Sequence, residues 1–139
     1  MILSALALTL VTQAAATNTL VVEVGPLEEQ GGFIGCALYA SGKGFPSDAA
    51  QAKAAVRVPA KGKAVTCTFP DLAPGTYAVS VMHDEDGDGE LDTNLFGIPS
   101  EGYGASNNQL PSMSAPTFEA SRITVVAGEP KKISVQLKY

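Results

Sequence analysis

Apolar and polar residues alternate with a period of two along most of the chain, the repeat that sends successive side chains of a strand to opposite faces. Leu20, Val22 and Val24 alternate with Val21 and Glu23, which predicts a strand over 19–24. Gly25-Pro26 and Gln30-Gly31-Gly32 separate it from a second strand at 33–40. After the glycine-rich turn at 41–44, Ser47 is placed to cap a short Ala-rich helical turn over 48–53. A brief edge strand at 55–58 is limited by Pro59, since proline cannot donate to a ladder. A further strand is expected at 64–69, and after the turn cluster Pro70–Gly75 another runs over 76–83. In that one Tyr77, Val79, Val81 and His83 alternate with Ala78, Ser80 and Met82. At the far end, 122–126 and 131–139 predict a hairpin across Ala127-Gly128-Glu129-Pro130.

Short strands separated by turn clusters predict an all-β fold, a single antiparallel β-sandwich of about seven strands with one short helical turn. The 139 residues suffice for one domain with a real core. One stretch does not fit the strand pattern. Roughly twenty residues between Leu95 and Pro116 are rich in Gly, Pro, Ser and Asn, and a compact domain seldom keeps so long an irregular segment without a use for it.

The first residues follow another rule. Met1–Leu10 is almost continuously apolar, and Gln13-Ala14-Ala15-Ala16 sets small residues where a signal peptidase would cut after Ala16. The basic residues that usually precede such a run are missing, and the alternative is a buried N-terminal helix. At about 15 residues the run is short for a membrane span. The expectation is a signal peptide over 1–16, a mature domain over 17–139 without a transmembrane segment, and a periplasmic or secreted location. Export would alter the chemistry of the two cysteines. Alternation turns Cys36, with Ile34 and Leu38, and Cys67, with Val65 and Phe69, toward the interior. A bridge between them would add about 3–4 kcal/mol by the loop-entropy argument; the other reading is two reduced cysteines acting as small apolar residues.

Charge is concentrated in one place. Asp84, Glu85, Asp86, Asp88, Glu90 and Asp92 are six of fourteen acidic residues, and outside them eight acids face nine bases, so the formal −5 belongs to one loop. Close carboxylates repel by several kcal/mol per pair at an effective dielectric of about 20, so the loop must splay into water or close on a cation. Its spacing, Asp84-x-Asp86-x-Asp88-Gly89-x-Leu91-Asp92, matches the first nine positions of a calcium-binding loop. Asp84, Asp86 and Asp88 would point inward, Gly89 would allow the reversal, and Glu90 would offer its backbone carbonyl. Leu91 would anchor the loop in the core, and Asp92 would ligate directly or through water. Position 12 is Leu95, where a bidentate Glu would complete the set, so weak Ca²⁺ binding, with Mg²⁺ as the other ion, is expected; Glu101, Asn94 or a carbonyl could make up the shell.

From Gly75 to Asn108 the chain resembles the bacterial family known as domain of unknown function 2141. The matching residues are Gly75-Thr76-Tyr77-Ala78-Val79, His83-Asp84-Glu85-Asp86-Gly87-Asp88-Gly89, Leu91-Asp92, Gly97-Ile98-Pro99-Ser100-Glu101-Gly102-Tyr103-Gly104 and Ser106-Asn107-Asn108, with Pro116-Thr117-Phe118-Glu119 fitting as well. The resemblance implies an exported, transthyretin- or immunoglobulin-like β-sandwich and lends no activity.

These readings favour a non-enzymatic exported module whose Ca²⁺ loop serves recognition of a cell-envelope partner or a glycan. His83, Glu101, Tyr103, Asn107 and Asn108 are candidates for a lid or for ligand contacts; the plainer reading has the asparagines satisfying turn backbone and Tyr103 packing on Phe96. One alternative is a metal-assisted hydrolase or isomerase using His83, for which Ser106 and Asp84 could complete a triad on paper, though no Gly-x-Ser-x-Gly elbow is present. The other is a structural domain with a solvated acidic loop. The acidic balance and scattered lysines disfavour nucleic acid as a partner.

Overall fold

The computed structural model describes residues 17–87 and 101–139. Residues 1–16 and 88–100, which carry the expected signal peptide and the second half of the acidic loop, lie outside the described residues.

Eight strands are described: β1 (Asn18–Val24), β2 (Phe33–Tyr39), β3 (Ala54–Pro59), β4 (Val65–Leu72), β5 (Gly75–Asp84), β6 (Tyr103–Ala105), β7 (Ile123–Val125) and β8 (Lys131–Val135). They form one sheet in the order β4-β1-β8 and another in the order β3-β2-β5-β6, with β7 also pairing β5. The chain is thus an all-β sandwich with a few short helical turns. Alternation accounts for the layering: Leu20, Val22 and Val24 from β1, Cys67 and Phe69 from β4, and Val135 from β8 meet Ile34, Cys36 and Leu38 from β2 and Tyr77, Val79 and Val81 from β5 in one buried cluster. The Cys36–Cys67 disulfide crosses this core and ties β2 of one sheet to β4 of the other.

Three local expectations are corrected. The helical turn is a 3-10 turn at Ala49–Gln51, capped by Asp48, whose side chain accepts from the Ala50 amide, and not by Ser47. The segments at 122–126 and 131–139 do not form a hairpin. β7 pairs antiparallel with β5, while β8 pairs parallel with β1 in the opposite sheet. Alternation decides which side chains face the core but not which strand supplies the hydrogen bonds, and the turn after Val125 carries the chain from one sheet to the other. The pair β1–β8 also makes the sandwich less than fully antiparallel. Finally, the last strand ends at Val135, beyond which the chain turns toward β6.

That turn closes one side of the sandwich. Asn108 Oδ1 accepts from the Gln136 amide at 2.8 Å, and Lys138 and Tyr103 then exchange backbone bonds of 2.8 and 3.0 Å. The segment 136–139 is therefore a strap laid across β6 and out from β8. Asn107 and Asn108 hold positive φ values of 67° and 55° in a short turn, Ser106–Asn108, a conformation asparagine tolerates better than most residues.

Candidate functional site

The acidic end of the molecule is built where β5 stops. β2 pairs with β5 in a register that sets Ile34 opposite His83 and Phe33 opposite Asp84. Alternation sends His83 inward, where it is fully buried. Its Nε2 lies 2.8 Å from the Gly31 carbonyl and its Nδ1 2.8 Å from the Tyr139 hydroxyl. A carbonyl only accepts, so Nε2 carries a proton, and in the neutral imidazole Nδ1 then accepts from the tyrosine hydroxyl. The Tyr139 ring stands edge-on to the imidazole, with centroids 5.8 Å apart. Burial raises the Tyr139 pKa above its ordinary value, with the carboxylates of Glu85 and Glu28 adding to the rise and backbone bonds from Glu28 and Glu29 opposing it.

Asp84 follows and is also buried. The approach of the Gly31-Gly32 turn is close enough that a side chain at Gly32, whose φ is +67°, would collide with the Asp84 carbonyl. On the other flank Glu101 is buried just before β6, and its Oε2 accepts from the Glu85 amide at 2.7 Å. Asp86 is exposed at the turn. Ligand-capable oxygens of Asp84, Asp86 and Glu101 all lie within 4.8 Å of one another. Three carboxylates and no nitrogen or sulfur donor make an oxygen-only set, the chemistry that hard divalent cations prefer.

Arg57 borders the cluster. Its guanidinium stacks over the Phe33 ring at 3.7 Å, donates to the Gly87 carbonyl at 3.4 Å and approaches Asp84 Oδ2 at 3.8 Å. The arginine side chain is half exposed, so this pair is partly screened, while the carboxylate it faces is 2% exposed.

The structure brings Asp84, Asp86 and Glu101 together; Asp88, Glu90 and Asp92 lie outside the described residues. Tyr103 is half buried in β6 opposite Met82. Asn107 and Asn108 serve the backbone elsewhere: Asn107 Nδ2 donates to the carbonyls of Ala120 and Arg122, and Asn108 Nδ2 to that of Ser134. Ser106 Oγ accepts from the Val79 amide at 3.0 Å and donates to the Ser121 carbonyl, so the hydroxyl is tied to mid-β5 and Ser121. Sequence reasoning overlooked Arg57 and Tyr139 as neighbours of this region. Both were visible as strand residues, but their proximity comes from pairing across β2 and from the strap, which no local pattern announces.

Fold and site together define an all-β sandwich with a carboxylate cluster at the end of a central strand. Residues 22–134 match the family described as "Uncharacterized protein conserved in bacteria (DUF2141)", and the chain belongs to that family. No curated protein and no solved structure matches the chain. Among the described residues, no helix is long and apolar enough to cross a membrane.

Proposed function

We propose that the protein is an exported, non-enzymatic binding module, periplasmic or secreted, in which a divalent cation stiffens the acidic end of the sandwich as a recognition surface for a cell-envelope protein or glycan. Calcium is the first candidate and magnesium the second. The observation that carries this reading is the convergence of Asp84, Asp86 and Glu101, from two separate stretches of chain, within 4.8 Å. At that separation each carboxylate pair repels by about 3–4 kcal/mol at an effective dielectric near 20, and a doubly charged ion turns this cost into attraction. The three residues would supply part of a shell of six to eight oxygens, with Asp88, the Glu90 carbonyl, Asp92 and water completing it. Export rests on the apolar leader and is supported by a buried disulfide, which persists where the surroundings are oxidising. His83 is enclosed with both ring nitrogens engaged, which favours binding over proton transfer at this end of the molecule.

Calorimetric titration with CaCl₂, then MgCl₂, at constant ionic strength tests the proposal. A dissociation constant of about 10⁻⁴–10⁻³ M is expected for calcium. Absence of both heat and a melting shift at about 5–10 mM, roughly ten times the weak limit, refutes it. A second reading has Arg57 as the resident counter-charge, favoured by its 3.8 Å approach to Asp84. A double variant, Asp84→Asn with Asp86→Asn, whose shift in unfolding is the same in calcium as in chelator would select that reading.

A further inference from the structure

We infer that His83 and Tyr139 are a positioning pair for the carboxylate cluster: they lock together the chain segments that present Asp84 and Glu101, and so set the separation of the two carboxylates. The consequence for cation affinity rests on the reading proposed above; the positioning itself does not.

Asp84 and Glu101 come from different segments and need a common reference to stay aligned. His83 provides it, one residue before Asp84. Its backbone amide donates to the Gly102 carbonyl at 2.7 Å, one residue after Glu101. Its Nε2–H holds the Gly31 carbonyl, and the adjacent Gly32 packs on the Asp84 carbonyl. Its Nδ1 receives the Tyr139 hydroxyl. Tyr139 in turn lies over Gly102, where an added Cβ would come within 2.6 Å of the tyrosine ring. The strap that carries Tyr139 is bonded to Tyr103 on both backbone groups. One imidazole and one phenol thus touch the sequence neighbours of both buried carboxylates without belonging to the cluster. The bond from the Glu85 amide to Glu101 Oε2, at 2.7 Å, spans the two segments and reports on their alignment.

Tyr139→Phe removes one hydroxyl and leaves the ring over Gly102. Hydrogen exchange in chelator should show the Glu85 amide exchanging about fivefold faster, the equivalent of one ordinary hydrogen bond, while the amides of Val22 and Cys36 in the core are unchanged. Gly102→Ala, which displaces the Tyr139 ring, should do the same. Tyr77→Phe is the control, because it likewise loses a bonded phenolic hydroxyl, here on the Ala73 carbonyl at 2.6 Å, and should leave Glu85 unaffected. Equal exchange at Glu85 in wild type and Tyr139→Phe overturns the inference, as does an equal acceleration in Tyr77→Phe. Terbium luminescence then reads the ion. About fivefold weaker Tb³⁺ binding in Tyr139→Phe, beside unchanged binding in Tyr77→Phe, supports the pair's role in affinity, and equal affinities overturn that role. Wild type that binds neither Tb³⁺ nor Ca²⁺ refutes the proposed function and leaves the exchange result to decide the positioning.

Discussion

Cutting the Cys36–Cys67 link should lower stability by an amount that follows from chain length. The cysteines are 31 residues apart in sequence and the bridge joins β2 to β4 across the core. Closing a loop of that size removes about 12 cal/mol/K from the unfolded chain, or about 3.7 kcal/mol at 25 °C. That is a large share of the roughly 5–15 kcal/mol available to a small domain, and at about 4 °C per kcal/mol it lowers the melting temperature by about 15 °C. Because both cysteines are buried, Cys→Ala changes would also leave sulfur-sized gaps. Fully reduced wild type is therefore the cleaner comparison, with Cys36→Ala/Cys67→Ala as a second variant expected to be less stable still. The chain has no Trp and four Tyr, so urea unfolding is best followed by far-ultraviolet circular dichroism together with tyrosine fluorescence. Oxidised and reduced proteins that agree within about 1 kcal/mol would refute the reasoning, since the bridge would then not be restricting the unfolded ensemble.

Calcium at 10 mM should stabilise wild type by about 1.4–2.7 kcal/mol for dissociation constants of about 10⁻³–10⁻⁴ M, and Glu101→Gln, which keeps an acceptor for the Glu85 amide, should lose most of that increment in calorimetric melts. Arg57→Met should tighten calcium binding by up to about fivefold, the range of a partly exposed ion pair, because Asp84 is relieved of a competing cation; unchanged or weaker binding on titration would contradict this. Alkaline unfolding should begin above about pH 10. Burial raises the pKa of Tyr39 and of Tyr139 above 10.0, so the native state holds more protons than the unfolded chain, and stability is full below that pH and falls as pH rises through the folded values. Tyr39→Phe should flatten that fall in pH-dependent melts.

The family sequence and the alternation made the sandwich legible, and the concentration of acids marked the end of β5 as the place to look. Glu101 was in view as a supplementary ligand or part of a lid and not as a core ligand, because it stands well outside the regular Asp spacing. The spacing of Asp84 and Asp86 is local, so it could be read directly. What joins them to Glu101 is the pairing of β6 with β5, through Tyr103 and Met82, and the hydrogen bond from His83 to Gly102. Arg57 went unnoticed because its nearness to Asp84 depends on two ladders at once, β3 on β2 and β2 on β5.

By itself the sequence determined most strand positions, though not β6 or the end of β8, the inward faces of Cys36 and Cys67 and the charge at the loop, all of which depend on near neighbours and a period of two. Tertiary structure decided that β7 and β8 part into opposite sheets, that β8 runs parallel to β1, and that Tyr139 returns to His83. The physical reason is that alternation specifies a face, whereas the choice of partner strand depends on where the whole chain can satisfy its backbone hydrogen bonds while filling a single core.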